Sequence, residues 1–297
     1  MNRRNFLQNS GLSLAAITVS QQKVLSAFFQ ENWKINMLTD TVGTFTERGG
    51  TIGFLLSKDG IVVMDAQFPE QAGHLIQELK KKTEKPFQLL INTHHHGDHT
   101  AGNIAFKGLV SYVVAHENSK TNQQNVARNQ KSEDKQLYPD QTYSDTWCQD
   151  FGREKICLNY YGAGHTNGDS VVHLQHANIV HMGDLVFNRR HPYVDNSAGA
   201  DTKSWIKVLD QSIAKFDKKT VFIFGHSGEG YDITGKKEDL IAFRDYLGNV
   251  VQYVENGIRD GKSKEEILKA TAIPGSPEWK GEGIQRPLGA TYDQLAG

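Results

Sequence analysis

The chain has 297 residues, with 33 basic and 34 acidic side chains and a formal net charge of −1. This balance gives no electrostatic reason to expect nucleic acid or a membrane surface as a partner. The length suits a leader segment followed by one α/β domain, and the sequence contains no internal repeat that would divide it further.

The first 27 residues resemble an export signal. Asn2-Arg3-Arg4-Asn5-Phe6 precedes a mildly apolar stretch at 11–19, which is the arrangement of a twin-arginine signal. That stretch is shorter than the roughly 20 apolar residues that a bilayer span requires. We therefore predict a twin-arginine signal over 1–27, a folded domain over 28–297 without a stable membrane span, and a periplasmic or secreted location. The alternative is an amphipathic N-terminal helix on a cytoplasmic protein.

Strands alternate with helices in the rest of the sequence. The apolar runs 51–57 and 61–65 flank Asp59-Gly60, which predicts a hairpin. In chain order, the further predicted elements are a helix after Pro69, strands at 87–91 and 109–115, a helix from Glu117, strands around Ile156, Val171 and Ile179, a helix at 205–216, a strand at 221–224, and helices at 238–259 and 264–272. This alternation predicts an α/β fold in which helices cover sheets. We expect a helix and a surface loop at 120–149, and the tail 272–297 shows weak periodicity.

The two cysteines, Cys148 and Cys157, could pair if the domain is exported into an oxidising compartment. If Gly152-Arg153 forms a two-residue hairpin turn, the cysteines face one another where a disulfide is geometrically allowed. Two free thiols are the alternative.

The run His94-His95-His96-Gly97-Asp98-His99 packs potential metal ligands into six residues. Its pattern is His-x-His-x-Asp-His. Neutral imidazoles and carboxylates suit zinc, and a catalytic zinc site keeps one position open for water. His165, Asp184 and His226 each follow a glycine and each come after, or close, an apolar run. Strand ends in a rigid sheet could direct all of these side chains to one point.

In order and spacing, these residues resemble the metallo-β-lactamase-fold hydrolases. That superfamily carries a strand-end Asp, the His-x-His-x-Asp-His motif, and then a later His, Asp and His. The counterparts here are Asp65, the 94–99 cluster, His165, Asp184 and His226. The resemblance covers roughly residues 35–230 and implies that 28–297 is a catalytic domain with a four-layered αββα sandwich fold.

The resemblance also implies two zinc ions and a ligand set for each. The first metal would be bound by His94, His96 and His165, the second by Asp98, His99 and His226, and Asp184 would bridge the two. A hydroxide between the metals would be the nucleophile, because zinc lowers the pKa of bound water to near 7. Asp98 would be both a ligand and the catalytic residue that orients this hydroxide.

Two positions depart from the zinc β-lactamases that are most similar in spacing. Asp184 stands where those enzymes generally carry Cys, and Phe187 stands where a Lys tends to hold the lactam carboxylate. Arg189 or Arg190 could replace that Lys, although guanidinium and ammonium differ in reach and geometry. A bridging Asp together with His99 resembles the hydroxyacylglutathione hydrolases and the lactonases instead. β-Lactams and lactones therefore both stay open as substrates.

Four residues near the motifs are predicted to assist the site. Asp65 is expected to orient a metal ligand through a hydrogen bond. Arg189, Arg190 and His191 follow Asp184 in a loop that could border the substrate pocket.

The predicted function is thus that of an exported dinuclear zinc hydrolase that opens a cyclic amide, a cyclic ester or a related carbonyl group in a small-molecule substrate. One alternative is that the same ligands hold iron, in a mononuclear sulfur-oxidising or other redox enzyme. A thioester hydrolase and a metal-binding protein without turnover are further alternatives. The sequence does not define the oligomeric state.

Overall fold

Two β-sheets packed face to face organise residues 33–297, the part of the chain that the computed structural model describes. The export signal predicted at 1–27 lies outside these residues. From Ile35 to Gly297 the chain forms one compact unit. Within the described part, no helix is long and apolar enough to cross a membrane.

The first sheet has seven strands in sequential order. They are β1 (Lys34–Met37), β2 (Val42–Thr46), β3 (Ile52–Ser57), β4 (Gly60–Met64), β5 (Phe87–Ile91), β6 (Tyr112–His116) and β7 (Gln141–Tyr143). Strands β2 to β4 are antiparallel, and β4 to β7 are parallel. The predicted hairpin is confirmed, and Ser57 pairs with Gly60 across the two-residue turn. Parallel pairing matters for the site, because the carboxyl ends of β4 and β5 lie at the same edge.

The second sheet is mostly antiparallel. Its strands are β8 (Thr146–Phe151), β9 (Glu154–Asn159), β10 (Val171–Leu174), β11 (Ile179–His181), β13 (Val221–Ile223) and β15 (Thr234–Gly235), in the spatial order β15-β13-β11-β10-β9-β8. A separate parallel pair joins β12 (Phe187–Asn188) to β14 (His226–Ser227).

Helices cover the outer faces of both sheets. The α-helices of the described part are α1 (Pro69–Lys82), α2 (Gly97–Thr100), α3 (Glu117–Gln130), α4 (Thr202–Lys215), α5 (Lys237–Arg259), α6 (Lys264–Ile267) and α7 (Gln285–Ala296). Helix α3 contacts β6 and β7, while α4 packs on α5 and α5 on α7. Short 3-10 helices occupy Ala101–Phe106, Glu133–Lys135, Gly183–Leu185 and Asn196–Ala198.

The alternation of side chains along each strand creates two separate cores. Val172 and Ile179 of the second sheet belong to a buried cluster shared with Val62 and Leu89 of the first sheet. In the second sheet, the strand neighbours Val171 and Val180 point the other way. They belong to the cluster formed with α4, α5 and α7, around Trp205. Successive residues of a strand face opposite sides of the sheet, so each sheet is buried on both faces. The predicted four-layered αββα sandwich is therefore correct.

The cysteine pair lies in the hairpin formed by β8 and β9. Phe151 pairs with Glu154 across the turn, and Cys148 and Cys157 are direct partners with Cα atoms 4.2 Å apart. This separation matches the closer type of antiparallel pair, and the two residues form a disulfide. The predicted bond is confirmed.

Several predicted boundaries differ from those observed. The strand expected at 109–115 begins only at Tyr112, because Leu109 lies in an exposed turn. The segment 120–149 contains β7 and the start of β8 as well as a helix and a loop. The helix expected at 264–272 ends at Ile267, although its capping box of Ser263 and Glu266 is present. The weakly periodic tail includes the amphipathic helix α7, whose buried side chains pack on α5.

Candidate metal centre

The candidate ligands lie on the segments that follow strand ends, at one edge of the two sheets. The cluster 94–99 follows β5, and the loop carrying Asp65 follows β4 beside it, with the Asp65 amide donating to the carbonyl of Ile91. His165 follows β9, Asp184 lies in the 3-10 turn after β11, and His226 begins β14. Strand ends from both sheets therefore bring together side chains that are up to 132 residues apart in sequence (94 to 226).

Four of the predicted ligands form the first group. His94, His96, His165 and Asp184 each offer one ligand atom, and these atoms all lie within 4.8 Å of one another. Nδ1 of His96 is 2.8 Å from Nε2 of His165. Oδ2 of Asp184 lies 3.8 Å from Nε2 of His94 and 3.5 Å from Nε2 of His165. Three imidazoles and a carboxylate are thus directed at one small volume.

Asp98, His99 and His226 form the second group. Nε2 of His226 is 3.1 Å from Oδ2 of Asp98, and Nε2 of His99 is 3.9 Å from the same oxygen. The other oxygen of Asp184, Oδ1, lies 3.1 Å from His99 and 3.5 Å from His226. Asp184 therefore directs one oxygen to each group, which is the position that the bridging prediction requires.

Unsatisfied polar atoms mark this centre as a cation site. Nε2 of His94, Nε2 of His99 and Oδ1 of Asp184 are buried without a hydrogen-bond partner among the described residues. An orphaned buried polar atom costs about 1 to 3 kcal/mol, so such atoms are rare unless something binds them. Imidazole nitrogens and carboxylates fit zinc, and they also fit iron. The side chains present are thus suited to two such metal ions.

Hydrogen bonds fix the orientation of the histidines in the first group. Nδ1 of His94 lies 3.0 Å from the Thr93 hydroxyl, and Nδ1 of His165 lies 2.8 Å from the backbone carbonyl of Tyr193. The carbonyl can accept only from Nδ1–H of His165, so Nε2 of that ring carries a free lone pair. Such outer contacts hold metal-binding rings in the tautomer and angle that ligation needs.

Asp65 has the same role for the second group. Its Oδ2 lies 2.7 Å from Nδ1 of His99, and its carboxylate also accepts from the Thr93 amide at 2.8 Å and the Thr93 hydroxyl at 2.7 Å. Asp65 is fully buried and adopts a positive φ of 67°. It therefore links the loop after β4 to the start of the metal-binding loop.

His96 is oriented by Asp195, a residue that the sequence motifs do not include. Oδ2 of Asp195 lies 2.9 Å from Nε2 of His96, and Oδ1 accepts from the backbone amides of Ser197 and Ala198. His95 lies on the same side, with Nε2 3.6 Å from Asp195. His95, His96 and Asp195 thus form a third cluster of potential ligands. This third cluster shares His96 with the first group. Within it, Asp195 accepts a hydrogen bond from the N–H of His96.

The two groups of candidate ligands differ in their electrostatics: two histidines of the first group are neutral, whereas the carboxylates of the second group favour positive charge. Burial lowers the pKa of His94 well below its ordinary value and lowers that of His165 to about 3, so both rings stay neutral. Burial also opposes charge on His226, but Asp184 and Asp98 outweigh it and raise the pKa of His226 to about 9. The carboxylates thus attract positive charge to the second group, where a cation would satisfy them.

A cavity of about 320 Å³ opens over both groups. The candidate ligands that line it are His96, Asp98, His165, Asp184 and His226, and the other lining residues are Gly97, Phe187, Arg190, His191, Tyr193 and Arg286. This volume is at the lower end of the range for small-molecule sites.

Of the three residues after Asp184 that were predicted to border the pocket, two line the cavity and one does not. Arg190 and His191 line the cavity, whereas Arg189 does not. The Arg189 guanidinium binds Asp239 at 2.6 Å and stacks on Trp279, because the backbone of Arg189 adopts a positive φ of 53° that turns its side chain toward α5. Arg189 therefore anchors the loop and does not line the cavity.

Tyr193 and Arg286 line the cavity although sequence reasoning missed them. Tyr193 packs its ring against His96 at 5.5 Å. Arg286 comes from the first turn of α7, in the tail whose weak periodicity gave no signal.

Comparisons with known proteins agree with this architecture. The model of the metallo-beta-lactamase superfamily matches residues 45–226, more than half of the chain. The metallo-beta-lactamase IND-1 of Chryseobacterium indologenes is 27% identical over 177 residues, which are 58% of this chain and 70% of that protein. A type 2 metallo-beta-lactamase from Bacillus sp. (strain 170) is 26% identical over 205 residues, or 66% of this chain and 77% of that one.

Solved structures share the fold at lower sequence identity. A metallo-beta-lactamase from Pontibacter korlensis superposes with a TM-score of 0.60 at 22% identity, covering 73% of this chain and 99% of its own. The inverting sec-alkylsulfatase Pisa1 from Pseudomonas sp. superposes with a TM-score of 0.72 at 15% identity, covering 89% of this chain and 50% of its own. The family match spans the loops that carry all seven candidate ligands, and the chain therefore belongs to the metallo-β-lactamase superfamily of hydrolases.

Proposed function

We propose that this protein is an exported dinuclear zinc hydrolase that opens a cyclic amide or a cyclic ester. The observation that carries the proposal is the position of Asp184, whose two oxygens face two separate groups of ligands. Such an arrangement suits two metal ions that share one bridging carboxylate. Two metals are favoured over one, because a single metal in the first group would leave the buried Nε2 of His99 without a cation to bind.

The chain's own residues prepare the site for hydrolysis. Bound zinc ions would supply Lewis acidity toward the substrate carbonyl and would activate a water molecule at neutral pH. Without metal, burial disfavours the charged form of Asp98, but the hydrogen bond from His226 outweighs it and lowers the pKa of Asp98 to about 2. A bound cation would replace that N–H in favouring the charged carboxylate. The carboxylate is therefore ionised at neutral pH and can accept a hydrogen bond from the attacking water. Phe187 stacks on His226 and gives the cavity an apolar wall.

The proposed substrate class is based on the similar proteins and on two positions at which this sequence differs from the zinc β-lactamase motifs. The two sequence relatives described above are metallo-beta-lactamases, which favours a cyclic amide. Asp184 and Phe187 are the two positions at which the motifs of this sequence depart from the zinc β-lactamase pattern that they resemble, so a lactone is retained as the second member of the class. Either substrate would present an activated carbonyl to the same two groups of candidate metal ligands.

The proposed periplasmic or secreted location has independent support from the cysteines. Cys148 and Cys157 form a disulfide, a bond that persists mainly in oxidising compartments. Secretion of the full chain, and its loss when Arg3 and Arg4 are both replaced by Lys, would be the expected result of a fractionation experiment. Retention of the unaltered chain in the cytoplasm would contradict the export proposal without affecting the hydrolase proposal.

The hydrolase proposal is tested by metal content and turnover together. We expect close to two zinc ions per chain by elemental analysis and hydrolysis of a chromogenic β-lactam or of a γ-lactone. Asp98→Ala and His165→Ala should abolish turnover while circular dichroism stays unchanged. Asp150→Ala, which removes an exposed carboxylate on β8, is the matched control and should retain full activity. One iron per chain without zinc would favour a redox enzyme instead.

A further inference from the structure

We propose that the loop between β2 and β3, residues 47–51, sets the geometry of the second ligand group, with Gln67 and Thr51 as positioning residues. That group combines Asp98 and His99 from the segment after β5 with His226 of β14, which lies 127 positions beyond His99 (99 to 226). The inference rests on the proposed function, since it concerns the ligands of the proposed second metal. It assigns a role to two residues outside the candidate ligand clusters.

Two consecutive residues of this loop contact the two halves of the second group. The Gly50 amide donates to the carbonyl of Asp98 at 3.0 Å, and the Thr51 amide donates to the carbonyl of Gly225 at 2.9 Å. The Thr51 hydroxyl donates to the same Gly225 carbonyl at 3.1 Å. Because Gly225 immediately precedes His226, one short stretch of backbone joins both ligand-bearing segments and fixes the distance between them.

Glycine at positions 49 and 50 allows the loop backbone to lie directly on the ligands. A Cβ at Gly50 would collide with Cε1 and Nε2 of His99. Gly49 has a φ of 95°, and a Cβ there would lie 2.8 Å from the carbonyl oxygen of Asp98. With no side chain between the loop and these two residues, a displacement of the loop would be transmitted to them.

Gln67 fixes the loop against the metal-binding segment. Its Nε2 donates to the Gly50 carbonyl at 2.6 Å, and its Oε1 accepts from the Arg48 amide at 3.4 Å. The Gln67 side chain is buried. Its own backbone is held nearby, because the amide of the preceding residue, Ala66, donates to the carbonyl of His99 at 2.7 Å. Gln67 thus joins the loop and the His99 segment into one unit.

His181 extends this unit toward Asp184. Its Nε2 lies 3.1 Å from the Thr51 carbonyl, which can accept only from Nε2–H, and its Nδ1 accepts from the Gly183 amide at 3.0 Å. His181 is fully buried, so both bonds are shielded from water. The loop therefore contacts, directly or through His181, the chain at or beside every candidate ligand of the second metal.

These contacts predict an effect on one metal and not on the other. Metal ligands must keep their atoms about 2 Å from the ion, so the loss of a group that orients a ligand lowers metal affinity. Among residues 33–297, the hydrogen bonds of the histidines of the first group do not involve the loop 47–51; these histidines are His94, His96 and His165. Release of the loop should therefore weaken binding of the second metal while the first is retained.

The test is the stepwise zinc affinity of the full-length chain, measured by competition with a chromophoric chelator. Gln67→Leu removes the amide and keeps most of the side-chain volume, and Thr51→Val removes the hydroxyl. Each should weaken one of the two zinc-binding steps by about tenfold or more, the usual effect of losing an orienting partner, and should leave the other step unchanged. His226→Asn, which removes a ligand of the second group, should weaken the same step and thereby identifies it.

Two further variants serve as rescue and control. Thr51→Ser keeps the hydroxyl and should restore the affinity that Thr51→Val loses. Gln88→Leu removes an amide that accepts from the Ser111 hydroxyl near the start of β5, away from the metal-binding segment at the end of that strand, and should leave both zinc steps unchanged. If Gln67→Leu fails to fold, the comparison of Thr51→Val with Thr51→Ser still decides the question.

Urea unfolding of the metal-free variants separates positioning from stability. If Gln67→Leu and Thr51→Val destabilise the metal-free protein but change neither zinc affinity, the two residues are structural only and the positioning role is wrong. If one zinc step weakens as expected but the unaltered protein hydrolyses neither a β-lactam nor a lactone, the positioning role stands and the proposed reaction fails. If the unaltered protein hydrolyses either substrate and both zinc affinities are unchanged in the variants, the positioning role is wrong and the hydrolase proposal stands.

Discussion

The carboxylate of Asp195 lies 2.9 Å from Nε2 of His96, although the two residues are 99 positions apart in sequence. Asp195 can accept only from Nε2–H, and this bond leaves Nδ1 of His96 as the nitrogen with a free lone pair. Nδ1 faces Nε2 of His165 at 2.8 Å, in the first ligand group. Asp195 thus determines which nitrogen of His96 is available to a metal.

Replacement of Asp195 should therefore weaken metal binding more than it weakens the fold. We expect Asp195→Ala to lower zinc affinity about 10- to 100-fold, the usual effect of losing a partner that orients a metal-binding His. Asp195→Asn should be intermediate, because its amide oxygen still accepts the hydrogen bond but carries no charge. Competition with a chromophoric chelator measures the affinity. Asp210→Ala, an exposed acid on α4, is the control, and equal affinity in Asp195→Ala and Asp210→Ala would contradict the role of Asp195.

Removal of metal should destabilise the protein. Without a cation, Nε2 of His94 and Oδ1 of Asp184 are buried and lack hydrogen-bond partners. A ligand that binds only the folded state stabilises it by about 2.7 kcal/mol at a hundredfold excess over its Kd. We expect chelation to lower Tm by several degrees and added zinc to restore it, as followed by calorimetry. The Asp184→Asn variant should show a smaller zinc-dependent rise, and an identical rise would argue against Asp184 as a ligand.

Gly225 is a position where a single methyl group should damage the centre. A Cβ at this residue would collide with Oδ1 of Asp184 and would lie 2.9 Å from the backbone carbonyl of Gly183. The Gly225 carbonyl also accepts from the Thr51 amide at 2.9 Å, so its backbone cannot easily retreat. We expect Gly225→Ala to displace Asp184, to lower kcat/KM at least tenfold and to destabilise the fold by about 1 to 3 kcal/mol.

Gly248→Ala provides the matched control for Gly225→Ala. Gly248 lies within α5, and a Cβ there would meet no atom within 4 Å beyond the neighbouring backbone of its own helix. Alanine favours a helix over glycine by up to about 1 kcal/mol, so this variant should be as stable as the unaltered protein or slightly more stable. Urea unfolding and steady-state kinetics on the two variants separate the local collision from a general effect of adding a methyl group. Equal activity in the two variants would contradict the prediction that Gly225→Ala lowers turnover by displacing Asp184.

The sequence could reveal those parts of the centre that depend on local spacing. The run from His94 to His99 is continuous in sequence, and the strand that precedes it, β5, has the predicted bounds Phe87–Ile91. Asp195 and Arg286 could not be found in this way. Their roles arise only when the loop after Asp184 folds back over the centre and α7 packs beside it. Those arrangements depend on tertiary packing, which leaves no fixed spacing in the sequence.

The direction of the side chain of Arg189 illustrates the same limit. In the sequence, Arg189 and Arg190 are equivalent neighbours of a predicted ligand. The structure separates them, because Asp239 and Trp279 from distant elements attract Arg189 away from the cavity. The sequence alone therefore could not show that Arg190, and not Arg189, lines the cavity, because this depends on the side chains that pack on each side of the loop.

His116 should give the protein a measurable loss of stability in acid. Its Nε2 lies 2.9 Å from the carbonyl of Ser144, its Nδ1 accepts from the Asn118 amide at the start of α3, and its ring stacks on Tyr160. Burial lowers the pKa of His116 below 6.5, which outweighs the opposite effects of the Ser144 carbonyl and the acids Glu117 and Asp145. Because the folded state disfavours protonation, the stability that the neutral ring contributes is complete above pH 6.5 and is lost as the pH falls toward the folded-state pKa.

The variant His116→Asn isolates this contribution, since asparagine can still cap α3 but does not titrate. At pH 7.5 we expect the variant to be less stable by about 1 to 2 kcal/mol, the usual cost of a buried substitution. Between pH 7 and pH 5 the difference should shrink, because only the unaltered protein loses the neutral ring. Urea unfolding with a chelator present keeps zinc release out of the comparison. The exposed His176→Asn serves as the control, and a constant difference between His116→Asn and the unaltered protein at every pH would mean that His116 does not titrate on unfolding.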